Sequence, residues 1–236
     1  MPHPQIAPIL LLTRPEAGAR RFMAQLDLPV QTLIAPLLRI DLLQLEPVEV
    51  GHSAIILTSE NGALAAGRIA GLPRRAYCVG ERTAGAAREA GFAPVCANGD
   101  ARSLVALILS LHETGPLLHI RGEHVRGEVA GRLNAAGVVT QELVGYRQQS
   151  LPLSPQAVEV LAGNRPVILP LFSPRTVTIL AVHGPFAAPM HVVSISAAVA
   201  ELAKLLRPAT MLQANSPDAM AMVQAVRASL GAVTSG

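Results

Sequence analysis

The feature that most restricts how this chain can fold is an internal repeat that is out of order. Residues 10–26 (LLLTRPEAGARRFMAQL) superpose without gaps on residues 117–133 (LLHIRGEHVRGEVAGRL), which pairs Arg14 with Arg121, Glu16 with Glu123 and Leu26 with Leu133. In the same way Ser59 corresponds to Ser173, and Gly80 to Ser196. One complete set of units therefore lies within residues 53–140. The second set needs residues 154–230 together with the first strand and helix of the chain. The N-terminal unit belongs with the C-terminal half, so the chain crosses between two domains twice. A length of 236 residues suits this division, since two domains of roughly 100 residues each fall within the usual range.

Each unit reads as a buried strand followed by a helix, which implies parallel sheets of α/β type. Strands are expected at residues 9–13, 30–34, 53–58, 76–79, 117–120, 167–172, 191–195 and 210–214. A helix from Pro15 to Leu26 places proline in the first turn and gives Ala19, Phe22, Met23 and Leu26 as its buried stripe. Further helices are expected from Ser59 to Ile69, from Gly80 to Gly91, from Ala101 to His112, from Ser154 to Ala162, over 174–181 and from Ala197 to Leu206. A last helix is capped at Ser216-Pro217-Asp218, with Met220, Val223, Val226 and Leu230 facing inward. After Arg121-Gly122, the spacing of Val125, Val129 and Leu133 predicts a helix that Gly137 ends. A strand, tight turn and helix in that order would put unpaired N–H groups at the strand's carboxyl end. The alternation from Val138 to Tyr146 reads as an extended segment leaving the domain, and residues 148–155 as a return link. The expected architecture is two similar parallel-sheet, flavodoxin-like α/β domains joined by a two-stranded β link. Domain 1 comprises residues 1–34 plus 152–236, domain 2 comprises 42–141, and the links are 35–41 and 142–151.

Composition narrows the function mainly by exclusion. The chain is 50% hydrophobic, carries a net charge of only +3 and has 3% aromatic residues with no tryptophan. Neither a basic stripe nor an aromatic stacking platform for nucleic acid is present. Cys78 and Cys96 sit in apolar stretches without a CxxC pattern and read as buried thiols of a reducing compartment. No basic n-region, and no apolar run near the roughly 20 residues of a membrane span, is found. A cytoplasmic protein is expected. GxGxxG, GxxxxGK[ST], GxSxG and metal-ligand spacings of histidine are all missing, and His119 and His191 read as strand residues. A cofactor-free reaction or a pure binding function remains.

Polar residues gather where the predicted strands end: Thr13 and Arg14, Ser59 and Asn61, Gly80 and Thr83, Arg121 and Gly122, Ser173 and Arg175, and Ser196. In open parallel sheets ligands collect at these carboxyl ends. Several helix N-termini converging there would suit a ligand with many negative charges. Taken singly, each Ser, Thr or Asn is equally a helix cap.

These segments resemble the uroporphyrinogen-III synthase family in order and over nearly the whole chain. LLTRPEAGARRFMAQL is similar to its opening, ILTSENGAL to its first strand-to-helix junction, and VGERTAGAAREAGF to its "VG..TA..L...G" segment. HIRGEHVRGEVAGRLNAAG followed by VGYR resembles the "RG....R..L...L...G" segment and its "YR" link strand. LFSPRTV and NSPDAMAMVQAV resemble the second-half junction and the end of the family pattern. The resemblance implies two α/β domains on a two-stranded link and a substrate, hydroxymethylbilane, bound in the cleft between them. This is a linear tetrapyrrole with eight carboxylates. The family's enzyme expels the terminal hydroxyl as water, closes the macrocycle and inverts the last pyrrole ring through a spiro intermediate, with no metal and no organic cofactor.

The resemblance further implies roles for individual residues. Tyr146 matches the family's link-strand tyrosine and is the candidate proton donor. A phenol, with an ordinary pKa of about 10, is protonated at neutral pH and can donate. Pinning the link strand is the other role open to it. Backbone N–H groups at Gly80, Thr83, Gly122 and Ser196 are candidates to hold carboxylates, beside the side chains of Thr13, Arg14, Ser59, Asn61, Arg121, Ser173 and Arg175. The sequence departs from the family at Ser196-Ala197-Ala198-Val199-Ala200, where Val199 stands opposite Thr83. A monomer is implied, with hydroxymethylbilane synthase as a candidate transient partner. A non-catalytic two-domain sensor of an anionic ligand is the alternative reading.

Overall fold

The computed structural model of the chain describes residues 7–48, 51–124 and 127–235. They form two compact units, one of residues 1–39 with 150–236 and the other of residues 40–149.

The first unit holds a five-stranded sheet. Its strands are β1 (Ile9–Leu12), β2 (Thr32–Ile34), β9 (Val167–Leu171), β10 (Met190–Ser194) and β11 (Thr210–Gln213). They lie in the order β11-β10-β9-β1-β2 and pair in parallel. Counted along the chain from the other edge this is 2-1-3-4-5, the flavodoxin order. Successive residues of a strand point to opposite faces, and the sheet is covered on both. Leu10 and Leu12 pack with helix α1 (Glu16–Leu26) and with helix α9 (Ala219–Ser235). Leu11 packs on the opposite side with α6 (Pro155–Ala162), α7 (Pro174–Ala181) and α8 (Ala197–Ala203). Burial on both faces explains the unbroken apolar run of β1.

The second unit holds a six-stranded sheet. Its strands are β3 (Leu38–Leu42), β4 (Ala54–Leu57), β5 (Arg75–Cys78), β6 (Ala93–Cys96), β7 (Leu117–Gly122) and β8 (Thr140–Ser150). The order is β3-β8-β7-β4-β5-β6. Helices α2 (Glu60–Ala66) and α3 (Glu81–Glu89) cover Ile55, Leu57, Leu118 and Ile120. Helices α4 (Ala101–Ser110) and α5 (Val129–Ala135) cover Ala54, Ile56, Tyr77 and Leu117.

The order β8-β7-β4-β5-β6 matches β2-β1-β9-β10-β11 strand for strand when the repeat units are equated. The permutation read in the sequence is thus present in the sheets, with β1 as the counterpart of β7. Beside β8 lies β3. Leu43 N–H donates to Gly145 O at 3.0 Å and Leu151 N–H to Leu37 O at 2.9 Å, so the two strands run antiparallel.

Several local expectations need correction. The helix after β7 starts at Val129, not at the end of the strand; Gly127 (φ 101°) and Glu128 (φ 44°) take left-handed conformations first. The anion-binding helix start expected directly behind Arg121-Gly122 is therefore not formed there, and Val125 of the helical spacing lies outside the described residues. Gly137, at φ 85°, does follow the helix end. Met23 and Met220 are exposed, while Gly18 and Met222 are buried in their place. Strand β6 has no counterpart among the expected elements, and β8 continues to Ser150 through the expected start of the return link. Cys78 is buried, but Cys96 only half so. His119 is a buried strand residue as read, and His191 lies half-buried in β10.

Candidate functional site

Four strand-to-helix junctions share one backbone form. Ser59, Gly80, Ser173 and Ser196 are the N-caps of α2, α3, α7 and α8, with φ/ψ of −156/156, −158/170, −155/147 and −159/164°. Such extended caps open the first helical turn, whose N–H groups have no partner within the helix. The side chains then divide them. Ser59 Oγ accepts from Gly62 N–H at 3.0 Å, and Ser173 Oγ from Thr176 N–H at 3.2 Å. At Gly80 and Ser196 no side-chain cap is made.

Thr83 and Val199 lie three residues into α3 and α8. Both are buried, at 5% and 1% exposure. The side chain faces the core in each unit, so valine opposite threonine preserves the packing.

Tyr146 is held by three neighbours. Its hydroxyl lies 2.9 Å from Ser59 Oγ, and its main-chain oxygen accepts from Glu123 N–H at 3.0 Å. Its ring lies on the bare Cα of Gly122: a Cβ there would come within 2.7 Å of Cζ and 3.0 Å of the hydroxyl oxygen. The approach depends on a register shift between β7 and β8. Arg121 pairs with Val144 but Gly122 with Tyr146, so Gly145 is an extra residue. A bulge of this kind re-aims the side chain that follows. Gly145 also permits the close contact, since a Cβ there would meet Ala65 Cβ at 2.8 Å and Ile120 Cγ2 at 2.9 Å. The result is a phenol only 8% exposed, with an oriented hydroxyl, at the carboxyl end of β4 and β7.

Beside it, Arg121 is engaged by its own surroundings. Its Nε lies 3.0 Å from Glu142 Oε1 as a charge contact not aligned as a hydrogen bond, and Nη1 donates to Gly122 O at 2.9 Å and Glu123 O at 3.3 Å. His119, 1% exposed, lies with Nδ1 3.4 Å from the same carboxylate and Nε2 3.2 Å from Thr58 Oγ1. Burial pushes the imidazole's pKa down, against the pull of Glu142, and Arg121 lowers it further. This is a buried neutral histidine that braces β7 against β8 and β4.

In the first unit Thr13 is buried at the end of β1 with its hydroxyl unpaired, and its main-chain oxygen accepts from Leu37 N–H at 2.9 Å. Arg14 lays its guanidinium 4.1 Å from the centre of the Phe172 ring, a cation–π contact. Ser173 Oγ also lies 2.9 Å from Thr176 Oγ1. Arg175 is in the first turn of α7 and Asn61 in that of α2, both half-buried. The structure thus joins Ser59, Gly122 and Tyr146 into one cluster within a unit. Missed from the sequence were Gly145, Glu142 and Thr58; only the glycine in VGYR carried a local signal, a small residue beside an expected site tyrosine. Among the described residues no group of three or more His, Cys, Asp or Glu is arranged to hold a metal, and no helix is long and apolar enough to cross a membrane.

Comparison with known proteins bears on this arrangement. A family model described as uroporphyrinogen-III synthase HemD matches residues 25–224. No curated protein matches significantly. Among solved structures, the uroporphyrinogen-III synthetase of Helicobacter pylori superposes with a TM-score of 0.67 at 17% identity, covering 94% of this chain and 99% of that one. A mutant uroporphyrinogen III synthase of Thermus thermophilus gives 0.52 at 16% identity, covering 96% and 100%. At such identities the structural likeness carries the fold alone.

Proposed function

Matched by the family model over most of its length, the chain belongs to the uroporphyrinogen-III synthase family, and we propose that Tyr146 is the proton donor of its reaction, oriented by Ser59 and Gly122. The family makes it a lyase of tetrapyrrole biosynthesis, acting on a small tetrapyrrole. Nothing in the fold or in the comparisons favours the non-catalytic sensor.

The observation that carries the proposal is the 2.9 Å contact between Tyr146 and Ser59. Ser59 Oγ accepts from Gly62 N–H, and we infer that its own hydrogen is donated to the Tyr146 oxygen. That leaves the phenolic proton free to point at substrate. In the first step the bond from the terminal methylene carbon to its hydroxyl breaks. The electron pair leaves with oxygen, and the phenol's proton completes a water molecule. The Ser59 hydroxyl then stabilises the phenolate, a donor aimed at charge that develops only during reaction. Attack by the substituted carbon of the last ring on that methylene carbon gives a spiro intermediate, whose bond to the original bridging methylene then breaks. The ring's unsubstituted α carbon bonds to that methylene and loses its proton, which closes the macrocycle with the ring inverted. The proton released when the pyrroles regain aromaticity restores the phenol. No electrons are exchanged with a cofactor, which supports cofactor independence.

The substrate's carboxylates suit the backbone N–H groups at Gly80 and Thr83 and at Ser196, at helix starts that no side chain caps. Gly122, Thr13, Arg14, Ser59, Asn61, Arg121, Ser173 and Arg175 complete the proposed set. Of these, Arg121 contributes chiefly by holding β7 to β8 through Glu142. We also infer a cytoplasmic monomer that meets hydroxymethylbilane synthase only transiently.

Tyr146→Phe tests the donor role. General acids typically contribute about 10²–10⁴-fold in rate, so kcat should fall roughly 10²-fold while the fold and KM are retained. An unchanged kcat would remove the role.

A further inference from the structure

A cavity of about 340 Å³ opens at the carboxyl ends of β4 and β5, lined by Thr58, Val79, Asp100, Arg102, Gly127 and Arg132. It lies on the α4/α5 side of the sheet, whereas Ser59 caps α2, which covers the opposite face. Two guanidinium groups reach it from different helices, Arg102 from the first turn of α4 and Arg132 from α5. Among the described residues neither makes a hydrogen bond or ion pair through its side chain. The one acid in the lining, Asp100, is committed to its own helix: Oδ1 accepts from Arg102 N–H at 2.9 Å, Ser103 N–H at 3.0 Å and Ser103 Oγ at 3.2 Å.

The other half of the repeat supplies an internal control. Asp218 caps α9 as Asp100 caps α4, accepting from Ala221 N–H at 2.9 Å. From there Leu104, Val105 and Ile108 correspond in spacing and burial to Met222, Val223 and Val226. On the same alignment Arg102 corresponds to Met220, and by the repeat Arg132 corresponds to Gln25. All four residues are exposed, and the two counterparts are neutral. The scaffold therefore builds the same helices without either arginine. Two guanidinium groups that line one cavity without a hydrogen bond or ion pair among the described residues, at positions the other unit fills with neutral residues, suit an anionic ligand. Guanidinium matches carboxylate in shape as well as charge.

We propose that Arg102 and Arg132 form a carboxylate subsite, which takes one acidic side arm of the substrate away from the reacting centre. The inference rests on the synthase reading and adds a specificity-determining pair to it. Because the pair acts on an arm remote from the breaking bond, it contributes binding common to ground and transition states, and so acts on KM rather than kcat.

The test is the double variant Arg102→Gln/Arg132→Gln, assayed for type III product with hydroxymethylbilane, beside a control, Arg68→Gln/Arg74→Gln. The control removes two exposed positive charges from the same unit away from the cavity. Charge-assisted contacts are weaker at exposed sites than at desolvated ones, and with both lost KM should rise at least about fivefold. kcat should stay within about twofold, and the control should be unchanged. Arg102→Lys/Arg132→Lys should recover part of the loss. Unchanged KM, an equal rise in the control, or a fall in kcat alone would each overturn the subsite. A thermal melt within a few degrees of the parent shows the variants folded. Fluorescence titration with uroporphyrin III reads the subsite without turnover, and there the double variant should bind at least about fivefold more weakly, with equal binding overturning it. A parent protein that binds uroporphyrin yet forms no type III product would defeat the synthase reading instead.

Discussion

Gly122→Ala is the perturbation whose outcome the geometry of the site fixes most closely. The added Cβ would lie 2.7 Å from Tyr146 Cζ and 2.8 Å from Cε2, where ordinary contact begins near 3.4 Å. The ring must retreat by about 0.7 Å. It has little room to do so, because Tyr146 is 8% exposed and its main chain is hydrogen-bonded to Glu123. A displacement of that size disturbs the 2.9 Å contact of the hydroxyl with Ser59 Oγ, which lies near the limit of hydrogen-bonding distance once lengthened by about 0.7 Å. Overpacking of this kind costs about 1–3 kcal/mol, which corresponds to a fall in Tm of about 2–12 °C for a chain of this length. Misplacing a reacting group by about 1 Å can cost on the order of 10²-fold, so kcat should drop at least about tenfold. The assay is an isomer-resolved rate measurement beside a thermal melt. It is completed by the same substitution in a Tyr146→Phe background. There the phenolic oxygen is already gone, and Gly122→Ala should no longer lower kcat, although it should still lower Tm. Equal losses in both backgrounds would refute a route through the tyrosine hydroxyl, as would full activity of the single variant.

Two further predictions concern stability. His119 is held neutral by burial, so its pKa in the fold lies below its value of about 6.5 in the unfolded chain. The unfolded state binds the proton first. This contribution is therefore complete above about pH 6.5 and is lost as pH falls from there through the folded pKa. Urea midpoints should decline across that window, and His119→Gln should flatten the decline; an unaltered slope would exclude His119 as its source. At the opposite end of β5, Tyr77 donates to Glu113, which also meets Arg75 at 2.8 Å; burial first, then this carboxylate, raise the phenol's pKa to about 12. Glu113→Ala leaves a buried hydroxyl without its acceptor, and unfolding free energy should fall by about 1–3 kcal/mol with kcat unchanged. A loss of activity without loss of stability would contradict a purely structural role.

The architecture was legible because its signal is redundant. The permuted repeat appears in the apolar strands, in Ser59 and Ser173 at the same junction, and in the pairing of Leu26 with Leu133, and the sheet order reproduces it. Strand β6 escaped notice for a physical reason. It is an edge strand, short and half-buried, and carries Pro94, a residue that only an edge accommodates readily. The start of α5 was misplaced because two successive left-handed residues, Gly127 and Glu128, interrupt a spacing that otherwise reads as helical. Within the site, the importance of Tyr146 came from a resemblance, whereas its partner did not. Ser59 and Tyr146 lie 87 residues apart, and their contact depends on a bulge at Gly145 that no local pattern announces. The same holds for Arg102 and Arg132, which the sequence presents as ordinary surface arginines on separate helices and the fold turns toward one cavity.

The most direct test of the account supplies hydroxymethylbilane to the purified protein and separates the oxidised products into type I and type III uroporphyrin. Without an enzyme the substrate closes to the type I isomer. A rise in type III that scales with added protein and persists in the presence of a metal chelator is the predicted result. Type I product alone, from a sample whose melting curve shows it folded, would contradict the synthase assignment and with it the role given to Tyr146.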